Sequence, residues 1–77
     1  MDWVELEEKL QQALADNVCR MREENGWSQE ATAEAAELST RKLQDIEAAV
    51  PGTTLTTIAK LCAAFQVDVA ALFRFRR

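Results

Sequence analysis

Trp3, Leu6, Leu10, Leu14, Val18 and Met21 recur at spacings of 3, 4, 4, 4 and 3, an average of 3.6 residues. That is the period of one helical face, so the pattern predicts a single amphipathic helix from about Asp2 to Asn25. Gly26, free to take the left-handed conformation, ends it. From Ser28 to Glu47 the apolar positions regroup into two short helices joined by a tight turn. Ala33 is small enough for a close crossing, and Leu38 in the turn with Leu43 and Ile46 beyond it supply the apolar contacts. Ser28 and Ser39 each offer a hydroxyl to the unpaired N–H groups of the helix that follows. Neither has Glu or Gln three residues on, so the reciprocal half of a capping box is missing. Val50-Pro51-Gly52 is a clear break. Thr53 or Thr54 then caps a fourth helix with Leu55, Ile58, Cys62 and Phe65 on one face. Asp68 caps a last short turn carrying Val69, Leu72 and Phe73.

The chain has no alternating run of β-branched residues and no Asn-Gly or Asp-Gly hairpin turn, so strands are not expected. The prediction is all-α: a compact five-helix bundle in one domain, 1–77, containing a helix-turn-helix over 28–47. Residues 1–13 form an N-terminal extension of the first helix. At 77 residues the core is near the lower limit for self-sufficiency, because such a chain buries only roughly 60% of its unfolded surface.

Two helices crossing at a tight turn form the layout in which the second helix enters the DNA major groove. On a wheel of that helix, Leu43, Ile46 and Val50 define the buried side. Arg41, Gln44, Asp45 and Ala48 face away, with Thr40 on the flank. Arg41 can donate two parallel hydrogen bonds to guanine, and Gln44 carries the donor–acceptor pair that suits adenine. Lys42, to the side, is a natural phosphate contact that positions without specifying. Asp45 can accept from cytosine, and it can also hold Arg41 four residues earlier in the free protein.

From Leu14 to Phe73, about three quarters of the chain, the sequence resembles the lambda-repressor-like helix-turn-helix family, which includes Cro and the xenobiotic-response-element regulators. The resemblance rests on the run Arg22-Glu-Glu-Asn-Gly-Trp-Ser-Gln29, Ile46-Glu47, the Pro51 break and the run Leu61-Cys-Ala-Ala-Phe-Gln-Val67, all in order. It implies a five-helix DNA-binding domain, usually a dimer on an inverted repeat. By the same resemblance Ser39, Thr40, Arg41 and Asp45, with Gln44, would contact bases, and Gln29 would meet the phosphate backbone. Arg22 and Glu47 would form a structural salt bridge between the first helix and the end of the third. Arg20 lies on another face and is expected to be solvated. The chain departs from the family at three places. Thr32 replaces an aliphatic residue, Glu37 replaces a glycine, and Ala48-Ala49 replaces a polar-Gly ending, so the third helix is expected to run on to Val50.

Charge alters this picture only in part. Thirteen acidic residues against nine basic give a net charge of −4, where DNA binders usually run basic. Much of the excess lies in the extension, where Asp2, Glu5, Glu7 and Glu8 face Lys9 alone. What counts for DNA is the docking face, and Thr40 to Gln44 holds Arg41 and Lys42 without an acid. Arg74, Arg76 and Arg77 could add phosphate contacts or complement the end of the last helix. Trp3, Leu6 and Leu10 carry the apolar stripe beyond the bundle. They are read either as a dimer contact, together with Phe73 and Phe75, or as packing on Leu72, Phe73 and Phe75 of the same chain.

Other chemistry is scarce. Cys19 and Cys62 have no Cys-x-x-Cys partner and no histidine, so a zinc site is not expected and the thiols read as free core fillers. With neither histidine nor tyrosine, no acid, base and nucleophile can be assembled, and an enzyme is not expected. No basic leader or long apolar run is present, which points to the cytoplasm, and the resemblance implies a bacterial or phage-type protein working at the nucleoid. The expected function is a sequence-specific regulator, a repressor, on double-stranded DNA, with no cofactor and no small-molecule ligand. The alternative is a protein-interaction module of the same fold, an antitoxin or adaptor, using its acidic surface.

Overall fold

In a computed structural model, which describes residues 2–75, Asp2 starts the first helix by accepting from the Val4 N–H at 2.8 Å. Helix α1 then runs unbroken over Trp3–Glu24. Its end is closed by Gly26 at φ 69°, whose N–H reaches the Glu23 carbonyl while Trp27 N–H reaches Arg22, each at 3.0 Å. Both bonds satisfy carbonyls that a helix end would otherwise leave without partners. Ser28, Ser39, Thr54 and Asp68 cap α2 (Gln29–Ala35), α3 (Thr40–Glu47), α4 (Leu55–Phe65) and α5 (Val69–Phe73), each by accepting a backbone N–H three residues on. The described residues hold five helices and no strand, so the chain is an all-α helical bundle.

The core gathers Leu14, Val18 and Met21 of α1, Ala33 and Ala36 of the α2 end, Leu43 and Ile46 of α3, Leu61 and Phe65 of α4, and Leu72 of α5. Helix α1 packs on α3 and α5, α2 on α3, and α4 on α5. Trp27, just past α1, stacks on Phe65 with ring centroids 5.6 Å apart and planes 18° from parallel. Offset stacking of this kind adds to the area the rings bury. Asn17 is fully buried, and its Nδ2 donates to the Leu72 and Arg74 carbonyls, both at 2.9 Å. One amide thereby ties the middle of α1 to the end of α5 and satisfies carbonyls that α5, only five residues long, cannot pair internally.

Five expectations need correction. Helix α3 stops at Glu47, not at Val50. Ala49 turns left-handed at φ 59°, and its N–H and that of Val50 close onto Ile46 and Asp45. Pro51 disfavours a helical conformation for Val50 in any case. Val50 accordingly leaves the buried line and is 44% exposed. On α4 the buried line is Thr57, Leu61 and Phe65. Leu55, about a third of a turn from its centre, is 87% exposed. Thr57 is polar, but its hydroxyl shares a hydrogen bond with Thr54 at 3.2 Å, which makes burial tolerable. Val69 opens α5 and points outward, leaving Leu72 to anchor that helix. Arg20 is not simply solvated: it is half-buried, pairing with Glu24 at 3.0 Å and donating to Asn17 Oδ1 at 3.3 Å. Of the basic tail, Arg74 is exposed, while Arg76 and Arg77 lie outside the described residues.

Thr32, the polar stand-in on α2, is fully buried and donates its hydroxyl to the Ser28 carbonyl at 2.9 Å. Glu37 takes φ 54° in the turn between α2 and α3, a conformation that costs a residue with a Cβ roughly 1–2 kcal/mol. Glu37→Gly is therefore expected to raise stability by about 1 kcal/mol and the melting temperature by roughly 4–8 °C. Thermal unfolding followed by circular dichroism checks this, and an unchanged or lower midpoint would mean that the turn carries no strain.

Candidate nucleic-acid interface

Helix α3 shows how eight residues sort into two sides. Leu43 and Ile46 are 0% and 2% exposed and seat the helix on α1 and α2. The 3.6-residue period then turns Arg41 and Gln44 to solvent, with Asp45 half-exposed and Thr40 and Lys42 on the flanks. Ser39 is exposed, and its Oγ is already committed to the Lys42 N–H at 3.0 Å. As a cap it fixes where the helix begins, and so the angular position of everything after it.

Four side chains from three elements join behind this face. Arg22 Nε donates to Glu47 Oε2 at 2.7 Å and Nη2 to Oε1 at 3.3 Å, a two-pronged contact between α1 and the end of α3. Arg22 Nη1 also donates to the Trp27 carbonyl at 3.0 Å, tying in the loop before α2. The hydrogen bond with Glu47, reinforced by that carboxylate's charge, raises the guanidinium above its ordinary range despite some desolvation. Gln29, the first residue of α2, donates to Glu47 Oε1 at 3.1 Å, and Gln44 makes a long 3.5 Å contact back to Gln29 Oε1. The chain Arg22–Glu47–Gln29–Gln44 thus runs from a half-buried ion pair out to the exposed face.

Two further contacts bear on the exposed cations. Arg41 Nε donates to Asp45 at 3.3 Å, the arginine side chain being 83% exposed. A solvated pair one helical turn apart contributes little and separates easily. Lys42 leans its Nζ toward the Gly52 carbonyl at 3.5 Å and stays within reach of solvent. Glu30 and Glu34 of α2 and Glu37 in the turn after it are all exposed.

The remaining candidates stand elsewhere. Trp3 and Leu6 are 74% and 39% exposed, so α5 does not cover them, while Leu10 is half-buried. Phe73 packs against the core, whereas Phe75 crosses to the other flank of α1, beside Lys9, Gln12, Ala13 and Asp16. Cys19 and Cys62 are free and half-buried, and burial pushes the Cys62 thiol up, with the charge of Asp68 adding to it. Among the described residues, no group of three or more His, Cys, Asp or Glu is placed to hold a metal, and no helix is long and apolar enough to cross a membrane. Residue patterns gave no sign of the Gln29–Glu47 contact or the Asn17 clamp, because neither amide stands out from the helical period around it.

The family model of the helix-turn-helix domain matches residues 13–74. A solved structure of a hypothetical transcription factor, NHTF, from Neisseria is similar at 31% identity and a TM-score of 0.81, over 87% of this chain and 75% of that one. An HTH_3 family transcriptional regulator from Vibrio cholerae shares the fold, with a TM-score of 0.80 at 24% identity over 87% of this chain. The present chain spans only 38% of the Vibrio protein. Comparison with curated proteins gave no match. With its two crossed short helices, its Arg22–Glu47 tie and its five-helix order, the chain belongs to the helix-turn-helix domain family, in the lambda-repressor-like, Cro-type form.

Proposed function

We propose that this chain is a DNA-binding transcription regulator that reads the major groove with α3, acting as a repressor by occupying its operator. The observation that carries this reading is the division of α3. Leu43 and Ile46 are buried while Arg41 and Gln44 face outward, Gln44 being in contact with Gln29 at the start of α2. Arg41 is the guanine reader, once it exchanges Asp45 for the base. Gln44 reads adenine, Asp45 favours a cytosine N4 donor, and Thr40 lies beside the groove wall. Gln29 and Lys42 meet phosphates, and Ser39 sets the register of the helix. The partner is double-stranded DNA, as an inverted repeat bound by two copies with half-sites one turn apart, in the cytoplasm of a bacterial or phage-type system. No cofactor or catalytic step is part of this role.

Selection of duplexes from a random-sequence pool, followed by titration at two salt concentrations, tests the reading. Enrichment of an inverted repeat is the expected result. Folded protein that enriches nothing even at low salt would instead favour an interaction module, for which the exposed acids of α2 are the natural surface.

The roles within α3 separate by substitution. Arg41→Ala is expected to cost roughly 1–3 kcal/mol at one guanine position and to relax preference there. Lys42→Ala is expected to weaken every duplex alike and to lower the salt slope by about one. Titrations on the selected duplex and on one with that guanine replaced would show the two signatures. If both variants bind as the parent does, α3 is not the reading element.

A further inference from the structure

The extension of α1 lies N-terminal to the 13–74 match, and its apolar face is bare: Trp3 is 74% and Leu6 39% exposed. On the same face, farther along α1, a groove of about 370 Å³ is lined by Leu10, Leu14, Leu55, Ile58, Val69 and Phe73. Two of its walls are themselves exposed, Leu55 at 87% and Val69 at 54%.

We propose that a second copy of this chain covers this face, the Trp3–Leu6 end of each α1 seating in the other's groove. The occupant follows from the geometry of one unbroken helix. Trp3 and Leu14 are about 16 Å apart along α1, and the helix contains neither glycine nor proline that would let Trp3 fold back into its own groove. Two copies crossing antiparallel near Glu8 and Lys9 bring Trp3 of each opposite Leu14 of the other. The contact is therefore self-complementary and closes as a two-fold dimer.

The apolar side chains supply more than half of the area that such a contact needs. The exposed parts of Trp3, Leu6, Leu55 and Val69 amount to on the order of 500 Å² per copy, against about 800 Å² per partner for a stable interface. Glu7 and Gln11, which also line the groove, supply the polar rim.

Charge gives this interface a signature of its own. The extension holds four acids against one lysine, so two copies repel. Added salt screens that repulsion and tightens the pair, whereas it loosens DNA. The proposal deepens the two-copy reading above but does not rest on what α3 contacts, so either can fail without the other.

The test is sedimentation equilibrium of the full chain without DNA at low and high salt, alongside fluorescence of a Trp27→Phe variant. That substitution keeps an aromatic ring against Phe65 and leaves Trp3 as the sole indole. A dimer that tightens with salt is expected, with Trp3 emission moving to shorter wavelength as concentration rises. Trp3→Ala and, separately, Leu55→Asp are each expected to weaken it on the order of thirtyfold. Both sites are exposed, and an acid in the first turn of α4 suits the helix dipole, so unchanged circular dichroism is expected. A monomer at about 1 mM overturns the proposal. So does a dimer indifferent to either substitution, or one that salt dissociates.

Discussion

Glu47→Ala is expected to lower the unfolding free energy by about 3 kcal/mol, a large share of the roughly 4–12 kcal/mol available to a domain of this size. The loss comes less from the missing attraction than from what it leaves behind. Arg22, with only 16% of its side chain exposed, keeps the Trp27 carbonyl but loses both prongs of its carboxylate, and Gln29 loses its acceptor at the same time. A fully buried pair broken this way costs roughly 3–5 kcal/mol, and the remaining exposure of Arg22 places this case at the lower end. The double variant Arg22→Met, Glu47→Leu removes the stranded charge along with its partner, and it is expected to recover most of the loss. Urea unfolding of the parent, both single variants and the double variant reads the coupling directly. A loss below about 1 kcal/mol, or a double variant as unstable as the worse single, would show that the pair behaves like a surface contact.

The same pair explains how, in a chain of net charge −4, the outer side of α3 is not acidic. Glu47 closes α3 on the side nearest Arg22 and is only 8% exposed, so its charge is spent on the guanidinium. Asp45 is the one acid left on the outer side of α3, and it is matched by Arg41 one turn earlier. Asp2, Glu5 and Glu8 stand at the far end of α1, toward its start. Net charge is a property of the whole chain, whereas a groove-reading helix feels the charges within about a Debye length, roughly 8 Å at physiological salt.

How much of this was legible beforehand depends on what each residue answers to. Helix positions followed from the 3.6-residue recurrence and from four side chains able to cap, because those signals are local. Helix ends held where glycine marked them, as at Gly26, and failed where alanine took the left-handed position, as at Ala49. Nothing local distinguishes an alanine that continues a helix from one that ends it; the closing bonds onto Ile46 and Asp45 decide. Burial misled for a related reason. Leu55 and Val69 carry apolar side chains on the first turn of their helices, where the wheel is least constrained by neighbours, while Thr57 sits inward with its hydroxyl paired. Of the interface, the wheel placed Arg41 and Gln44 outward from residue type and spacing alone. The contacts behind that face, Gln29 to Glu47 and Gln44 to Gln29, join residues 18 and 15 positions apart. Only the crossing of α2 over α3 brings them together.

Leu43→Ala should separate folding from recognition. Leu43 has no exposed surface and lies directly beneath the outward face of α3. Truncating it removes three heavy atoms from the contact that seats α3 on α1 and α2, and a cavity replaces them. The expected loss is about 3 kcal/mol, within the range of roughly 2–5 kcal/mol for such deletions, because a bundle this small has few other side chains to collapse into the gap. The residues proposed to read DNA are themselves untouched. DNA affinity is therefore expected to fall only by the fraction of chains left unfolded, with the salt slope and base preference of the parent retained. That is the reverse of the Lys42→Ala signature, in which stability holds and the slope drops. Urea unfolding together with titrations at two temperatures tests it, since the affinity deficit should shrink as cooling raises the folded fraction. A changed base preference in the fully folded variant would instead mean that Leu43 sets the tilt of α3 in the groove. The core would then be part of the reading apparatus and not only its support.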